Sequence, residues 1–100
     1  MVNKKQAPAR VLVLDVLKPH RPSILQLGRA IARHKSVNNV NIDVYAIDEK
    51  TESVSIVLDG TNIDYEAVEE IIEKQGAVVH SLDKVVLGSK KLIEVPKVDK

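Results

Sequence analysis

The chain contains no cysteine, tryptophan or phenylalanine, and its only aromatic residues are Tyr45 and Tyr65. Without cysteine it has no disulfides, no thiolate nucleophile, no iron–sulfur cluster and no thiolate metal site. With so few rings the core must be aliphatic, and a surface that stacks single-stranded RNA bases is excluded. An excess of one charge is also missing: 15 Lys and Arg stand against 14 Asp and Glu, a net charge of +1. That balance makes no case for nucleic acid or an anionic membrane as the main partner. No apolar run approaches the roughly 20 residues that span a bilayer. The basic, polar stretch from Met1 to Arg10 lacks the pattern of a secretion signal. A cytoplasmic protein is the expectation. A glycine-rich phosphate loop is absent as well.

What the chain does contain is a repeat. Leu12-Val13-Leu14-Asp15 returns as Ile56-Val57-Leu58-Asp59 about 44 residues later, and the same offset carries Ile24, Leu27 and Gly28 onto Val68, Ile71 and Ile72. Each half reads strand, helix, strand. Two such halves predict an α+β domain: a ferredoxin-like βαββαβ sandwich, with a four-stranded antiparallel sheet and two helices on one face. The expected limits are a flexible N-terminal tail over 1–9, the domain over 10–88, and a C-terminal extension over 89–100 in which Leu92-Ile93-Glu94-Val95 is a candidate extra strand.

Local signals fill in the plan. The nearly unbroken apolar run Val11–Leu17 predicts a strand buried on both faces. Pro22 suits the first turn of a helix whose apolar face is Ile24, Leu27, Gly28 and Ile31, with Arg33, His34 and Lys35 in its last turn. Gly28 predicts a close helix–sheet approach. Val40–Ile47 alternates, with Ile42, Val44 and Ala46 on one face and Asn41, Asp43, Tyr45 and Ile47 on the other. Asp64 is an N-cap flanked by the staple pair Ile63 and Val68, and Gly76 is the C′ residue of the second helix. Ala77–Leu87 is the last strand.

By analogy with other domains of this plan, the strand order is 4-1-3-2. The uncovered face then carries Val11, Val13, Asp15 and Leu17 with Tyr45, Ile47, Val57 and Val79, interrupted by Ser55, Ser81 and Asp83. So much apolar surface away from the helices predicts self-association.

Two sets of residues are candidates for binding chemistry. Asp15, Lys18, His20, Arg21, Ser23 and Ser81 surround the first strand–helix loop, where cationic groups at a helix start suit a small anionic ligand. Asp15, His20, His80 and Asp83, joined by the hairpin acids Asp48, Glu49 and Glu52, are oxygen and nitrogen donors for a divalent cation such as Ca²⁺ or Mg²⁺. Under the expected topology Asp15, His20 and His80 come close together. The plain readings compete at each position: Ser23 as a helix-start residue, His80 as a hydrogen-bonded structural histidine, and the hairpin acids as a solvated turn. No catalytic residue is assigned.

The segments Leu14-Asp15-Val16-Leu17-Lys18-Pro19-His20, Asn41-Ile42, Asn62-Ile63-Asp64-Tyr65 and Val79-His80-Ser81-Leu82-Asp83 together resemble the archaeal domain-of-unknown-function family 211. The resemblance covers the chain from Arg10 to Gly88. It implies a ferredoxin-like fold, ring-like homo-oligomers and an archaeal cytoplasm, and it implies no established reaction. The functional expectation is a non-enzymatic oligomeric binding or regulatory protein. The alternatives are a ligand-free structural assembly and an enzyme whose site is shared between subunits.

Overall fold

The computed structural model describes residues 6–89, and the element order is β1 (Ala9–Pro19), α1 (Ile24–Ala32), β2 (Asn39–Ile47), β3 (Thr51–Asp59), α2 (Tyr65–Lys74) and β4 (Val78–Leu87). The candidate strand Leu92–Val95 lies outside the described residues. The four strands form one sheet in the order β2-β3-β1-β4, every neighbouring pair antiparallel. This is the ferredoxin-like arrangement that the repeat predicts. β1 is longer than its apolar run, starting at Ala9, and the Pro8 carbonyl accepts from the Gly88 N–H at 2.9 Å.

The core lies between the helices and one sheet face. Leu12, Leu14 and Val16 of β1 and Val54, Ile56 and Leu58 of β3 meet Leu27, Ile31, Val68 and Ile72 of the helices. Period-two alternation on the strands and an apolar stripe on each helix produce this layer. Gly28 lets α1 approach β2: a Cβ built there would stand 3.3 Å from the Ile42 Cδ1.

The helix ends follow local chemistry. Ser23 caps α1 through a capping box, its hydroxyl accepting from the Gln26 N–H at 3.2 Å while its own N–H donates to the Gln26 Oε1 at 2.9 Å. Pro22 therefore precedes the cap instead of opening the first turn, and it follows a cis Arg21–Pro22 bond. Arg33 is the C-cap of α1, so His34 and Lys35 fall beyond the helix. The His34 Nδ1 accepts from the Ser36 N–H, and the Ser36 hydroxyl accepts from the Asp64 N–H. Asp64 caps α2 by accepting from the Ala67 N–H at 3.1 Å. At the other end Gly76 has φ +88°, its N–H reaches the Glu73 carbonyl, and the Ala77 N–H reaches the Ile72 carbonyl. Those paired bonds satisfy the last carbonyls of the helix and require the left-handed residue that glycine supplies.

Irregularities in the outer strands reassign several side chains. The β1–β4 register shifts between Asp15/Val16 and between Val13/Leu14, leaving His80 and Asp83 as extra residues. Val79, Leu82 and Val85 consequently share the helix side, opposite Val16, Leu14 and Leu12, at a spacing of three instead of two. Val79 packs against the core and does not join the uncovered face. In β2 the shift between Val44 and Ala46 makes Tyr45 the extra residue. Ala46 then pairs with Ser53 and Ile47 with Glu52, so these two exchange the faces that strict alternation gives them.

Candidate functional site

β1 presents its polar residues to opposite sides of the sheet, and each gathers its own cluster. Lys18 continues the parity of Leu12, Leu14 and Val16, so its side chain goes to the helix-covered face, where it is fully buried. Register opposes it to Glu52. The Lys18 Nζ donates to the Glu52 Oε1 at 2.9 Å, to the Pro19 carbonyl at 2.7 Å and to the His20 carbonyl at 3.4 Å. The ammonium is thereby neutralised and its three hydrogens have acceptors.

His20 completes this first cluster. Its Nδ1 stands 3.1 Å from the Glu52 Oε2, and its Nε2 stands 2.9 Å from the Glu49 carbonyl. A carboxylate and a carbonyl only accept, so both ring nitrogens must donate, which requires the imidazolium. The Glu52 hydrogen bond, followed by that of the Glu49 carbonyl, accordingly raises the His20 pKa above its ordinary value. Hydrogen bonds from Lys18 and then His20 hold the Glu52 carboxyl below its own. One carboxylate between two cations ties the β1–α1 loop to the β2–β3 hairpin.

The second cluster sits on the uncovered face. Asp15 opposes Ser55 on one side and Ser81 on the other, and Ser55 in turn opposes Asp43. These four residues form a polar belt across the sheet. The Tyr45 hydroxyl donates to the Asp15 Oδ1 at 2.5 Å, and the His80 Nδ1 lies 3.6 Å from the Asp15 Oδ2. The Ser81 hydroxyl donates to the Asp83 Oδ1 at 2.7 Å. The Asp15 hydrogen bond raises the Tyr45 pKa above 10.0, and loss of hydration raises it further. The two β4 bulges turn His80 and Asp83 toward this belt. His80 is open to solvent, its side chain 75% exposed, whereas Asp15 retains 23%.

Apolar residues flank the belt. Val11 opposes Val86, and Val13 opposes Val57, forming a valine patch on one side; Leu17 opposes Val78 on the other. Leu17, Val78 and Tyr45 are exposed apolar groups of this face.

The expected meeting of Asp15, His20 and His80 does not occur. Asp15 contacts His80 and Tyr45, whereas His20 contacts Glu52 and Glu49, and no hydrogen bond or ion pair among the described residues joins the two sets. The reason is parity: Asp15 and Lys18 are separated by an odd number of positions and face opposite sides. The anion site expected at the first loop also loses members. Lys18 is buried and neutralised, and Ser23 is used as a cap. Arg21 is exposed on the loop. Of the proposed cation ligands, Asp48 accepts from the Glu49 N–H at 2.7 Å, and Glu52 is engaged by Lys18 and His20. Among the described residues no group of three or more His, Asp or Glu side chains converges in a way that holds a metal ion.

Strand alternation puts Tyr45 and Asp15 on one face and does not pair them. Their contact was within reach, because Asp15 and Asp43 both oppose Ser55, which brings Tyr45, two residues beyond Asp43, alongside. The buried state of Lys18 also had a signal, its parity with Leu12, Leu14 and Val16.

Comparison with known proteins agrees with the resemblance carried by the motifs. The sequence pattern of DUF211, described as uncharacterized ArCR, matches residues 10–100. An uncharacterized protein of Methanocaldococcus jannaschii, MJ0319, is 43% identical over 86 residues, covering 86% of this chain and 89% of the relative. Among the described residues no helix is long and apolar enough to cross a membrane.

Proposed function

This chain belongs to the DUF211 family, and we propose that it is a cytoplasmic, non-enzymatic, oligomeric binding protein whose working surface is the uncovered face of its sheet. The observation that carries the reading is the pairing, on that face, of the Val11–Val86 and Val13–Val57 patch with a polar belt centred on Asp15. The occupant of the face is a second copy of the chain. The belt and its border hold both signs of charge, Asp15 and Asp83 with Lys84, and so suit a surface of the same composition. A two-fold arrangement through the belt would set the valine patch of one copy against the Leu17–Val78 pair of the other. A divalent cation such as Ca²⁺ or Mg²⁺ would need carboxylates from two copies to complete an oxygen shell, and would depend on the same association.

Size-exclusion chromatography with light scattering tests this reading. The wild type should run at a multiple of 11.0 kDa. Val13→Asp should shift it toward the single chain while circular dichroism retains the folded signature. A wild-type protein of single-chain mass at micromolar concentration would refute the proposal.

A further inference from the structure

We propose that the groove between α1 and β2, on the opposite side of the sheet, binds a small amphipathic carboxylate. The groove has a volume of about 450 Å³, within the range of small-molecule sites. Its lining is apolar along Ile24, Leu25, Val40 and Ile42, and among the described residues the only ionisable side chain in it is Arg29.

Three features of the fold produce it. β2 is the outer strand of the sheet, so among the described residues no further strand shields its Val40 and Ile42. Gly28, also in the lining, keeps the wall of α1 bare: even a methyl group there would approach the Ile42 Cδ1 to 3.3 Å and the Val40 Cγ1 to 3.8 Å. Leu25 remains 59% exposed, an apolar side chain without cover from the described chain.

The head group follows from the polar lining. Asn39 is engaged, its Nδ2 donating to the Asp59 Oδ1 at 3.0 Å. Arg29 and Asn38 remain, and among the described residues no aspartate or glutamate lines the groove. A guanidinium presents paired N–H donors in a plane that matches a carboxylate, and the Asn38 amide can add a donor. The body of the ligand would cover Ile24, Leu25 and Ile42. Apolar walls with few convergent polar groups are the usual composition of sites that orient a small molecule. No residue of the polar belt or the valine patch lines this groove, so either proposal can fail alone.

The test is a ¹H–¹⁵N NMR titration of the folded protein with octanoate, with octylammonium as a probe of equal chain length and opposite charge. Octanoate should produce saturable shifts in the amides of α1 and β2, and octylammonium should bind about tenfold more weakly, the scale of a charge-assisted hydrogen bond. Arg29→Gln should cost octanoate about the same factor, Arg29→Lys should keep the preference for octanoate over octylammonium but lose part of the affinity, and Arg33→Gln should leave it unchanged. Absence of saturable shifts, or equal affinity for the two probes, overturns the proposal. So does dilution alone moving the α1 amides of Ile24, Leu25 and Arg29, since the occupant of the groove would then be a second copy of the chain.

Discussion

Two histidine–carboxylate clusters flank β1, and they differ in what surrounds the carboxylate. Glu52 stands between a buried ammonium and a doubly donating imidazole, and the Lys18 and His20 contacts reach backbone carbonyls as well. Asp15 stands between a phenol and an exposed imidazole, and both partners come from the sheet's outer strands. The first cluster uses the donors and acceptors it has to close a corner of the fold. The second keeps an exposed histidine and a hydroxyl-bonded aspartate on a face that no element among the described residues covers. Similar residue types thus close a corner of the fold on one side and stand on an open surface on the other, and the buried, charge-paired Lys18 ammonium separates the two.

The largest expected effect sets the scale for the covered side. Leu14 is fully buried, and Leu14→Ala should lower unfolding stability by about 2–5 kcal/mol, whereas Leu17→Ala, on the uncovered face, should cost a small fraction of that in the single chain. Urea denaturation measures both. Next comes Glu52→Gln, which strands the Lys18 ammonium without a counter-charge. Its urea midpoint should fall clearly below that of Lys18→Met, which removes the buried charge and keeps much of the side-chain volume. A reversed order would break the account of this cluster. Ser23→Ala should cost about 1 kcal/mol through loss of the cap, which would place Ser23 with the structural residues.

The pH dependence sharpens the contrast further. The folded pKa of His20 is raised, so its stabilisation is complete below the unfolded value near 6.5 and disappears as pH rises through the folded value. That of Glu52 is lowered, so its stabilisation is present above the unfolded value near 4.5 and disappears as pH falls through the folded value. The cluster should therefore stabilise most between these two values. The stability gap between wild type and His20→Gln should shrink at alkaline pH, as urea midpoints across a pH series will show. The smallest effect is expected at Asp15→Asn, which keeps an acceptor for Tyr45 and should change single-chain stability by under about 1 kcal/mol.

Element order, strand order, the caps of α2 and the apolar buried set of β1, β3 and the helices were legible because each rests on local chemistry or simple periodicity. Asp64 and Gly76 announce the limits of α2, and Leu12, Leu14 and Val16 announce the covered face of β1. The bulges were not legible. They arise when a strand pairs with its neighbour, and strict alternation put Val79 and Ile47 on the wrong face. The spacing of Val79, Leu82 and Val85 was the available sign that β4 departs from period two. The division of the candidate site has the same origin: Asp15, His20 and His80 are near one end of the sheet in projection, but strand parity and two extra residues decide the sides on which they act.

The central claim, that one face of β1 maintains the fold while the other makes contacts, is tested most directly by sedimentation equilibrium of Val13→Asp beside Glu52→Gln, both held below their urea transitions. The account predicts that Val13→Asp loses mass relative to wild type while Glu52→Gln associates as wild type does. Unchanged association of Val13→Asp, or dissociation of Glu52→Gln with its fold intact, would contradict it.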